Sequence, residues 1–417
     1  MSTPPLPMLR GYRVLDLTQI VAGPTCTRIL AEAGADVVKV ELPPFGDRTR
    51  FSGLKPQKVK SSQSTFYFQH NHSKRSLAVD FKNPRGLDLI RRMLPKFDVV
   101  VENFSPGVVD RAGLGYDDVR AIHPKIIMCS VSLAGQRGPL ASKPGYDYIA
   151  QAYSGIGDLI GDADGPPALP GMAIGDTATG IAAAMAIGFA LLHRERTGEG
   201  QYIDASLIDT YFSMHEAALP RVSLRKNHQP RRSGAQHPDG GPTGLFRCGT
   251  QGYVALAVLP HQWDAFVAAL DMPQLLTDPR FADAVLRRDN NALLVEIVEQ
   301  WLGAFASRDD ALRRLDEFRI PCAPVLTLPE AMRHPHLRER GTVRRVHDPL
   351  LGDFDIPGPL IRYSGWVPEQ EVHADLLGQN NGEILTEFLG MSEEEIMALH
   401  DDKVLVRDPM LSSPEHR

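Results

Sequence analysis

The predicted fold follows from the sequence Val14-Leu15-Asp16-Leu17, a helix-like segment from Gly23 to Ala33, and the sequence Val37-Val38-Lys39-Val40. Short apolar runs on either side of a helical segment are typical of a βαβ unit, in which a right-handed crossover joins two parallel strands. The same alternation predicts further strands at residues 76–79, 98–101, 126–129 and 202–205. Strands that alternate with helices indicate a parallel sheet covered on both faces, so we predict an α/β fold with a Rossmann-like sheet.

A parallel sheet of this kind binds its ligands at the carboxyl ends of the strands. The first of these turns, from Thr18 to Pro24, lacks the G-x-G-x-x-G pattern of dinucleotide-binding proteins. The chain also contains no Walker A sequence. We therefore expect a Rossmann-like sheet without the usual nucleotide loops.

The composition excludes several classes of function. The chain has 417 residues, of which 43% are hydrophobic and 23% charged, and its net charge is -6. It has no basic block of the kind that binds nucleic-acid phosphates, and its uninterrupted apolar runs are too short to span a bilayer. The N-terminus from Met1 to Pro5 lacks the apolar core of a secretory signal. We expect neither a nucleic-acid partner nor a membrane partner.

The cysteines also bear on the class of protein. They lie far apart, at Cys26, Cys129, Cys248 and Cys322, and none forms a C-x-x-C pair. This spacing argues against a zinc site and against a dithiol redox motif. We expect no metal site and a reduced, cytoplasmic protein with buried thiols.

The chain divides by composition. Residues 1–210 carry the strands and helices of the large domain. Residues 211–243 are rich in Arg, Gly, Pro and His, which is typical of either a linker or a functional loop. A hairpin pattern followed by helical patterns predicts a smaller α+β domain at residues 244–325.

The candidate reactive group lies in Gly175-Asp176-Thr177-Ala178-Thr179-Gly180, just before an apolar run from Ile181 to Leu192. Gly198 follows the basic end of that run, so the flanking residues predict a helix with Asp176 at its N-terminus. Two interpretations of Asp176 are open at this point. It is either a helix-capping aspartate or a reactive carboxylate that forms a covalent acyl intermediate.

Two further segments carry groups that suit a ligand. Asn103 and Phe104 follow the strand at residues 98–101, and Arg111 comes one turn later. An amide, an aromatic ring and an arginine can hold an adenine and a phosphate, although a structural turn explains the same residues. Gly240 and Gly241 end the linker, and their N–H groups can donate to an oxyanion, unless the segment is only a mobile connection.

Taken together, these motifs resemble the class III coenzyme A transferases, the family of formyl-CoA transferase and carnitine CoA-transferase. The resemblance covers nearly the whole chain and rests on the order and spacing of many short matches. The matching segments are Val14 to Leu17, Ala22 to Pro24, Gly34 to Glu41, Asn71 to Arg75 with Asp80, Val101 to Phe104, Gly145 to Asp147, Gly175 to Gly180, Arg196 to Gln201 and Ile320 to Cys322.

The resemblance implies that Asp176 is the nucleophile of a CoA-transferase. Its carboxylate would attack an acyl-CoA thioester to give an aspartyl anhydride, which CoA thiolate converts into an aspartyl-CoA thioester before the acceptor acid reverses the sequence. The substrates would be an acyl-CoA and a carboxylic acid. CoA would be a co-substrate, with no permanently bound cofactor. A helix N-terminus would hold the Asp176 carboxylate ionised.

The resemblance also implies the residues that contact the substrates. A glycine loop, here Gly240 and Gly241, would cover the site. Tyr146 is grouped with these glycines as a residue that would contact the substrate. Leu42 replaces an arginine of formyl-CoA transferase, which removes one phosphate contact. The CoA contacts carried over by position are Val21, Ala22, Val79, Lys82, Asn103, Phe104, Arg111 and Lys143.

By the same resemblance, residues 326–417 form a return segment that packs on the large domain. Two chains would thread through each other as an interlocked homodimer.

Two other functions compete with this interpretation. An α-methylacyl-CoA racemase of the same superfamily would have a histidine base where this chain has Tyr146, and a phenol is a poorer base at neutral pH. A non-catalytic CoA-binding protein would not need the Asp176 carboxylate. The sequence favours the transferase.

The linker contains a group of arginines with two possible roles. They can recognise a dicarboxylate such as succinate, or they can form a solvated linker. These residues are Arg221, Arg225, Arg231 and Arg232.

Overall fold

The computed structural model describes residues 6–53, 61–225, 227–367, 369 and 371–412. Residues 1–5, on which the expectation of no secretory signal rests, lie outside these ranges. The chain forms two compact units. The first contains Met1–Ser154, Met172–Met214 and Pro335–Arg417, and the second contains Gly155–Gly171 and His215–His334.

The units differ in their bounds from the predicted domains, which placed residues 155–171 with the sheet and began the return segment at residue 326. Residues 155–171 pack within the second unit because Arg232 holds them there. Its Nη1 donates to the Asp158 carboxylate at 2.7 Å and to the Asp158 carbonyl at 2.9 Å. The backbone N–H of Gly234 also donates to Gly161 O.

The first unit is built on a six-stranded sheet in the order β3-β2-β1-β4-β5-β6, with every neighbouring pair parallel. This is the strand order of the Rossmann fold, so the predicted parallel sheet is confirmed. The order reverses between β1 and β4, where Val14 pairs with Val37 on one side and Val99 on the other. The strands are β1 Arg13–Asp16, β2 Asp36–Glu41, β3 Arg75–Ala78, β4 Val99–Glu102, β5 Ile127–Ser132 and β6 Tyr202–Ser206.

Helices cover the sheet and begin where local signals predict. The Asn83 side chain caps the helix that begins at Pro84. Proline suits the first helical turn because the backbone N–H that it lacks would have no partner within the helix there. The helices of the first unit up to Met214 are α1 Ala22–Glu32, α2 Thr65–Asn71, α3 Pro84–Met93, α4 Val108–Arg111, α5 Tyr116–Ile122, α6 Asp147–Tyr153, α7 Ile174–Thr197 and α8 Leu207–Phe212.

The second unit is a small α+β structure around the antiparallel strands β7 Thr243–Arg247, β8 Tyr253–Ala257 and β9 Cys322–Pro324. Its core is apolar and aromatic, with Phe246, Phe266 and Phe281 fully buried. Its helices are α9 Ala218–Leu224, α10 Trp263–Leu270, α11 Ala284–Asp289, α12 Asn291–Gly303, α13 Arg308–Glu317 and α14 Leu328–Arg333.

The last part of the chain returns to the first unit. It contains α15 Pro335–Glu339, the antiparallel strands β10 Val343–Asp348 and β11 Gly352–Pro357, and the helices α16 Asn381–Leu389 and α17 Glu393–Asp401. The Asn381 side chain accepts from Ala78 N at 2.8 Å and donates to Val406 O at 2.8 Å, so it ties this segment to the end of β3. Ile384, Leu385 and Phe388 extend the apolar core of the sheet.

Within the described ranges, α7 is the one helix whose length and apolar composition match those of a membrane-spanning helix. The expectation drawn from uninterrupted apolar runs did not single it out. Its inner face is buried at Ala183, Ile187 and Leu191, a pattern that the core helices of soluble proteins share. Its outer face exposes Met185, Phe189 and Leu192.

The contact of α7 with α1 depends on a glycine. A Cβ atom at Gly180 would lie 2.5 Å from Ala22 O, whereas one at Gly188, two turns further along α7, would meet nothing within 4 Å.

We expect Gly180→Ala to destabilise the protein by about 1–3 kcal/mol because the helices must separate. The matched change Gly188→Ala should stabilise it by up to about 1 kcal/mol. Urea unfolding of both variants measures this difference, and equal effects would contradict the packing described.

Candidate active site

Asp176 lies in the first turn of α7, which begins at Ile174. The N-cap position belongs to Ala173, so Asp176 is not the capping residue. The cap comes instead from Asp147, at the start of α6. Its Oδ1 accepts the backbone N–H of Asp176 at 2.8 Å, and its Oδ2 accepts the O–H of Tyr211 at 2.8 Å. A carboxylate from another helix therefore occupies the N-terminus of α7.

Burial and the neighbouring charge of Asp147 raise the pKa of Asp176 to about 7. The expectation of a carboxylate kept ionised by the helix N-terminus is therefore not met. The physical reason is that Asp147 takes the favourable position itself and adds a like charge. Asp176 therefore keeps its proton to a higher pH than an ordinary aspartate does.

Asp176 lines a cavity of about 210 Å³ at the carboxyl edge of the sheet, where the strand order reverses. Such a switch point is where open α/β sheets bind ligands. The cavity brings together four other residues that the sequence analysis selected, namely Val21, Ala22, Asn103 and Tyr146. The remaining lining residues are Gln19, Ile20, Arg48, Ser105, Val131, Ser132, Leu133, Pro144, Gly145 and Leu207.

One wall of the cavity is the turn after β1, which Asn103 holds in place. The Asn103 Oδ1 accepts the backbone N–H of Gln19 at 2.8 Å, and its Nδ2 donates to Gln19 O at 2.8 Å. The amide group is thus engaged by the protein itself. Ile20 follows with φ of 73°, a left-handed conformation that is costly for a β-branched residue. Its N–H donates to Asp47 Oδ1 at 3.2 Å.

Beneath this turn lies a fully buried set of charges. Lys39 Nζ donates to Thr18 O at 2.8 Å and lies 3.1 Å from Asp47 Oδ2, so one ammonium group links the turn to Asp47. Lys74 Nζ lies 3.0 Å from Asp16 Oδ2. Although burial alone would raise it, these two lysines lower the pKa of Asp16 to about 2. Asp16 and Lys39 are therefore stabilised as ions, whereas burial outweighs the charge of Asp16 at Lys74 and lowers the pKa of that lysine to about 8.

The other predicted CoA contacts lie outside the cavity lining. Val79 is buried and pairs with Leu405 of the return segment, and the Phe104 ring packs edge-on against Phe81 at 6.1 Å between centroids. The Nζ of Lys143 lies 5.5 Å from the centroid of the Tyr153 ring. Lys82 and Arg111 are exposed. The predicted roles of these residues in CoA binding stay predictions.

Gly240 and Gly241 line a different cavity, of about 310 Å³, within the second unit. Gly241 cannot be replaced without movement, because a Cβ there would lie 2.2 Å from Asn291 Oδ1. The same cavity is lined by Arg287, a buried residue that the sequence analysis did not select. Its Nη1 donates to Phe281 O at 2.8 Å, and its guanidinium carbon lies 4.6 Å from the centroid of the Trp263 ring.

The linker arginines have partly structural roles in the second unit. Arg221 forms an ion pair with Asp239, and Arg232 forms one with Asp158. These two guanidinium groups are therefore already neutralised by the protein. This weakens the hypothesis that the four linker arginines together recognise a dicarboxylate.

Comparison with known proteins identifies the class. The profile described as CoA-transferase family III matches residues 9–381. The chain is 33% identical to formyl-CoA:oxalate CoA-transferase of Bradyrhizobium sp. (strain ORS 278), across 95% of this chain and 97% of that protein. It is 36% identical to succinyl-CoA:glutarate CoA-transferase of Mus musculus, across 94% of this chain and 88% of that protein.

A solved structure agrees with these relatives. The crystal structure of a CAIB/BAIF family protein from Brucella suis superposes with a TM-score of 0.80 at 31% identity, covering 92% of this chain and all of that one. The fold and the relatives define an acyl-CoA:carboxylate CoA-transferase of class III. The chain belongs to CoA-transferase family III. The resemblance drawn from the sequence motifs is confirmed, and a non-catalytic role is set aside.

The electrostatics of the site can be tested without substrate. We expect Asp147→Asn to lower the pKa of Asp176 from about 7, because the change removes the like charge and keeps an oxygen for the Asp176 N–H. NMR titration of ¹³Cγ-labelled aspartates, with Asp176→Asn for assignment, measures the shift. Asp117→Asn, which removes an exposed acid from the first turn of α5, is the matched control and should leave the value unchanged. An unchanged pKa in Asp147→Asn would contradict the assignment of cause.

Proposed function

We propose that the protein transfers CoA from an acyl-CoA to a carboxylic acid, with Asp176 as the nucleophile. One observation carries this proposal: a carboxylate with a pKa raised to about 7 lines a cavity at the switch point of the sheet. Perturbed acids in such cavities are candidates for chemistry, because an ordinary surface carboxylate has no reason to resist ionisation.

In the first half-reaction, an Asp176 oxygen attacks the carbonyl carbon of the donor thioester. A carbon–oxygen bond forms and the carbon–sulfur bond breaks, giving a mixed anhydride and CoA thiolate. The thiolate then attacks the aspartyl carbonyl of the anhydride. The donor acid leaves as a carboxylate, and Asp176 is left as a thioester of CoA.

The second half-reaction repeats these steps in the opposite order. The acceptor carboxylate attacks the aspartyl thioester and releases CoA thiolate, which forms a second mixed anhydride. The thiolate attacks the acceptor carbonyl, so that acyl-CoA leaves and the Asp176 carboxylate is restored. No net proton or electron is exchanged. The protein's tasks are therefore to align the groups and to exclude water from the anhydride and thioester intermediates.

The environment of Asp176 supports this role in two ways. A carboxylate whose pKa is raised is a stronger nucleophile than an ordinary one, because basicity and nucleophilicity rise together. The Tyr211 O–H and the backbone N–H of Asp176 both point at Asp147, which fixes the first turn of α7. The attacking oxygen therefore belongs to a rigid element.

CoA is proposed as a co-substrate, with no resident cofactor. The turn at Val21 and Ala22 lines the Asp176 cavity, which supports the predicted contact of its backbone with CoA. We also propose an interlocked homodimer in the cytoplasm. Support for association comes from the exposed apolar face of α7, since Met185, Phe189 and Leu192 are between 50% and 64% exposed. The unpaired state of all four cysteines agrees with a reducing compartment.

The racemase alternative depends on Tyr146, which occupies the position where a racemase would have its histidine base. This residue lines the cavity beside Asp176, but its phenol is a weak base at neutral pH. We therefore expect no exchange at C2 when a 2-methylacyl-CoA is incubated in deuterated water without an acceptor acid. Deuterium incorporation, read by mass spectrometry, would favour the racemase.

The central variant is Asp176→Asn. We expect it to lower kcat/KM for CoA transfer by on the order of 10⁴-fold or more, because an amide cannot replace the attacking oxygen. The pH profile of the unchanged enzyme should show kcat/KM falling as pH drops through about 7, since the nucleophilic form is the ionised one. Chromatography of CoA esters measures both effects. Asp117→Asn is the control, and undiminished transfer in Asp176→Asn would refute the proposal.

A further inference from the structure

We propose that Arg48 binds the remote carboxylate of a dicarboxylic acid in the Asp176 cavity and thereby determines which acids the enzyme accepts. This inference rests on the proposed function of Asp176. Arg48 lies between β2 and α2. Nothing in the motifs pointed to it.

Arg48 supplies the cavity with a positive charge that no residue in the described part of the chain neutralises. Among the residues that line the cavity, it is the one lysine or arginine. Its guanidinium forms no ion pair within 4 Å among the described residues, unlike the nearby Arg50, which binds Glu41 through two bonds of 2.7 and 2.6 Å. An arginine fork that lines a cavity and has no ion-pair partner among the described residues is free to match the planar geometry of a carboxylate.

The charges under Arg48 are already balanced, so they do not neutralise it either. Asp47 lies next to it in sequence, and its Oδ2 is 3.1 Å from Lys39 Nζ. The buried set contains three acids and three bases. Its members are Asp16, Glu41, Asp47, Lys39, Arg50 and Lys74. The positive charge of Arg48 is therefore in excess over this set.

The backbone that carries Arg48 is anchored on both sides. Asp47 Oδ1 accepts the N–H and the O–H of Thr49 at 2.9 and 2.8 Å, which caps the short 3₁₀ helix Arg48–Phe51. On the other side, the Arg50 guanidinium carbon lies 3.5 Å from the centroid of the Tyr67 ring, and the whole side chain is buried. An exposed side chain on a rigid backbone segment can bind a substrate with little loss of backbone freedom.

A second group in the cavity also lacks a partner. The Oγ of Ser132, at the end of β5, is buried and makes no hydrogen bond to any described residue. A buried hydroxyl without a partner costs free energy unless a ligand satisfies it. The Ser132 hydroxyl and the Arg48 guanidinium can both donate to oxygen. Together they indicate a ligand rich in carboxylate oxygens.

The size of the cavity fits a small acid. Its volume of about 210 Å³ is below the range of about 300–1,000 Å³ typical of sites for drug-sized ligands. We infer that one carboxylate of the acid reacts with Asp176 while the other binds Arg48. The names of two relatives, formyl-CoA:oxalate CoA-transferase and succinyl-CoA:glutarate CoA-transferase, contain dicarboxylic acids and agree with this substrate class.

The test compares two acceptors of similar length, glutarate and butyrate, with succinyl-CoA as donor. For the unchanged enzyme we expect clear transfer to glutarate and little to butyrate. In Arg48→Ala, kcat/KM for glutarate should fall by about 10- to 100-fold, the effect of losing hydrogen bonds to a charged group. The value for butyrate should stay within about twofold. Arg48→Lys should recover part of the loss, because it keeps the charge without the fork.

Controls separate this role from others. Arg85→Ala removes an exposed arginine that is paired with Asp402, and it should change neither acceptor. Equal losses for glutarate and butyrate in Arg48→Ala would overturn the proposal, as would efficient use of butyrate by the unchanged enzyme. If Arg48 instead binds a phosphate of CoA, the variant will raise KM equally for a donor with a second carboxylate, succinyl-CoA, and for one without it, butyryl-CoA, and dephospho-CoA donors will abolish the difference. That result would also overturn it.

The failure of this inference differs from a failure of the proposed function. Incubation of Arg48→Ala with succinyl-CoA alone should still give a covalent adduct on the Asp176 peptide, because the first half-reaction needs no acceptor. If neither the unchanged enzyme nor the variant forms this adduct, the assignment of Asp176 as the nucleophile is contradicted. Adduct formation combined with unchanged selectivity would contradict Arg48 alone.

Discussion

The buried ions beneath the turn after β1 are the constraint on which the rest of the first unit depends. Removing charges from water costs several kcal/mol for each ion, and only close pairing offsets this cost. Lys39 meets the requirement by binding Thr18 O and Asp47 at once, while Lys74 binds Asp16. Breaking one of these pairs would leave a buried charge without a partner. The turn is thus held in a geometry, including the left-handed Ile20, that local sequence preferences would not select.

The proposed chemistry uses two groups that different contacts hold in place. On one side of the cavity, burial and the neighbouring charge of Asp147 raise the pKa of Asp176 to about 7, so that the proposed nucleophile is a more basic carboxylate than usual. On the other side, Asp47 fixes the backbone next to Arg48 and holds the N–H of Ile20. The buried network therefore sets the shape of this wall and the position of Arg48, which has no ion-pair partner in the described part of the chain. The residues that hold this wall thus also hold the group to which we attribute selectivity.

Periodicity in the sequence was sufficient for the parallel sheet, because strands buried on both faces leave continuous apolar runs such as Val99 to Val101. The helix after Gly175 was also predictable from its apolar run and its terminal glycine. The contributions of Asp147, Tyr211, Arg48 and Ser132 were not, since each depends on contacts between distant segments. The expected ionisation of Asp176 failed for that reason: the helix N-terminus was visible in the sequence, but the competing carboxylate that caps it was not.

The central claim is that one oxygen of the Asp176 carboxylate leaves with the donor acid in every cycle and is replaced by an oxygen of the acceptor acid. The acceptor carboxylate attacks the aspartyl thioester, and cleavage of the resulting anhydride at the acceptor carbonyl leaves the bridging oxygen on Asp176. Turnover with an ¹⁸O-labelled acceptor acid in unlabelled water, followed by mass spectrometry of the Asp176 peptide, measures this transfer directly. The account predicts that heavy oxygen accumulates in the Asp176 carboxylate and not in the Asp147 carboxylate. An unlabelled Asp176 after many turnovers would contradict it.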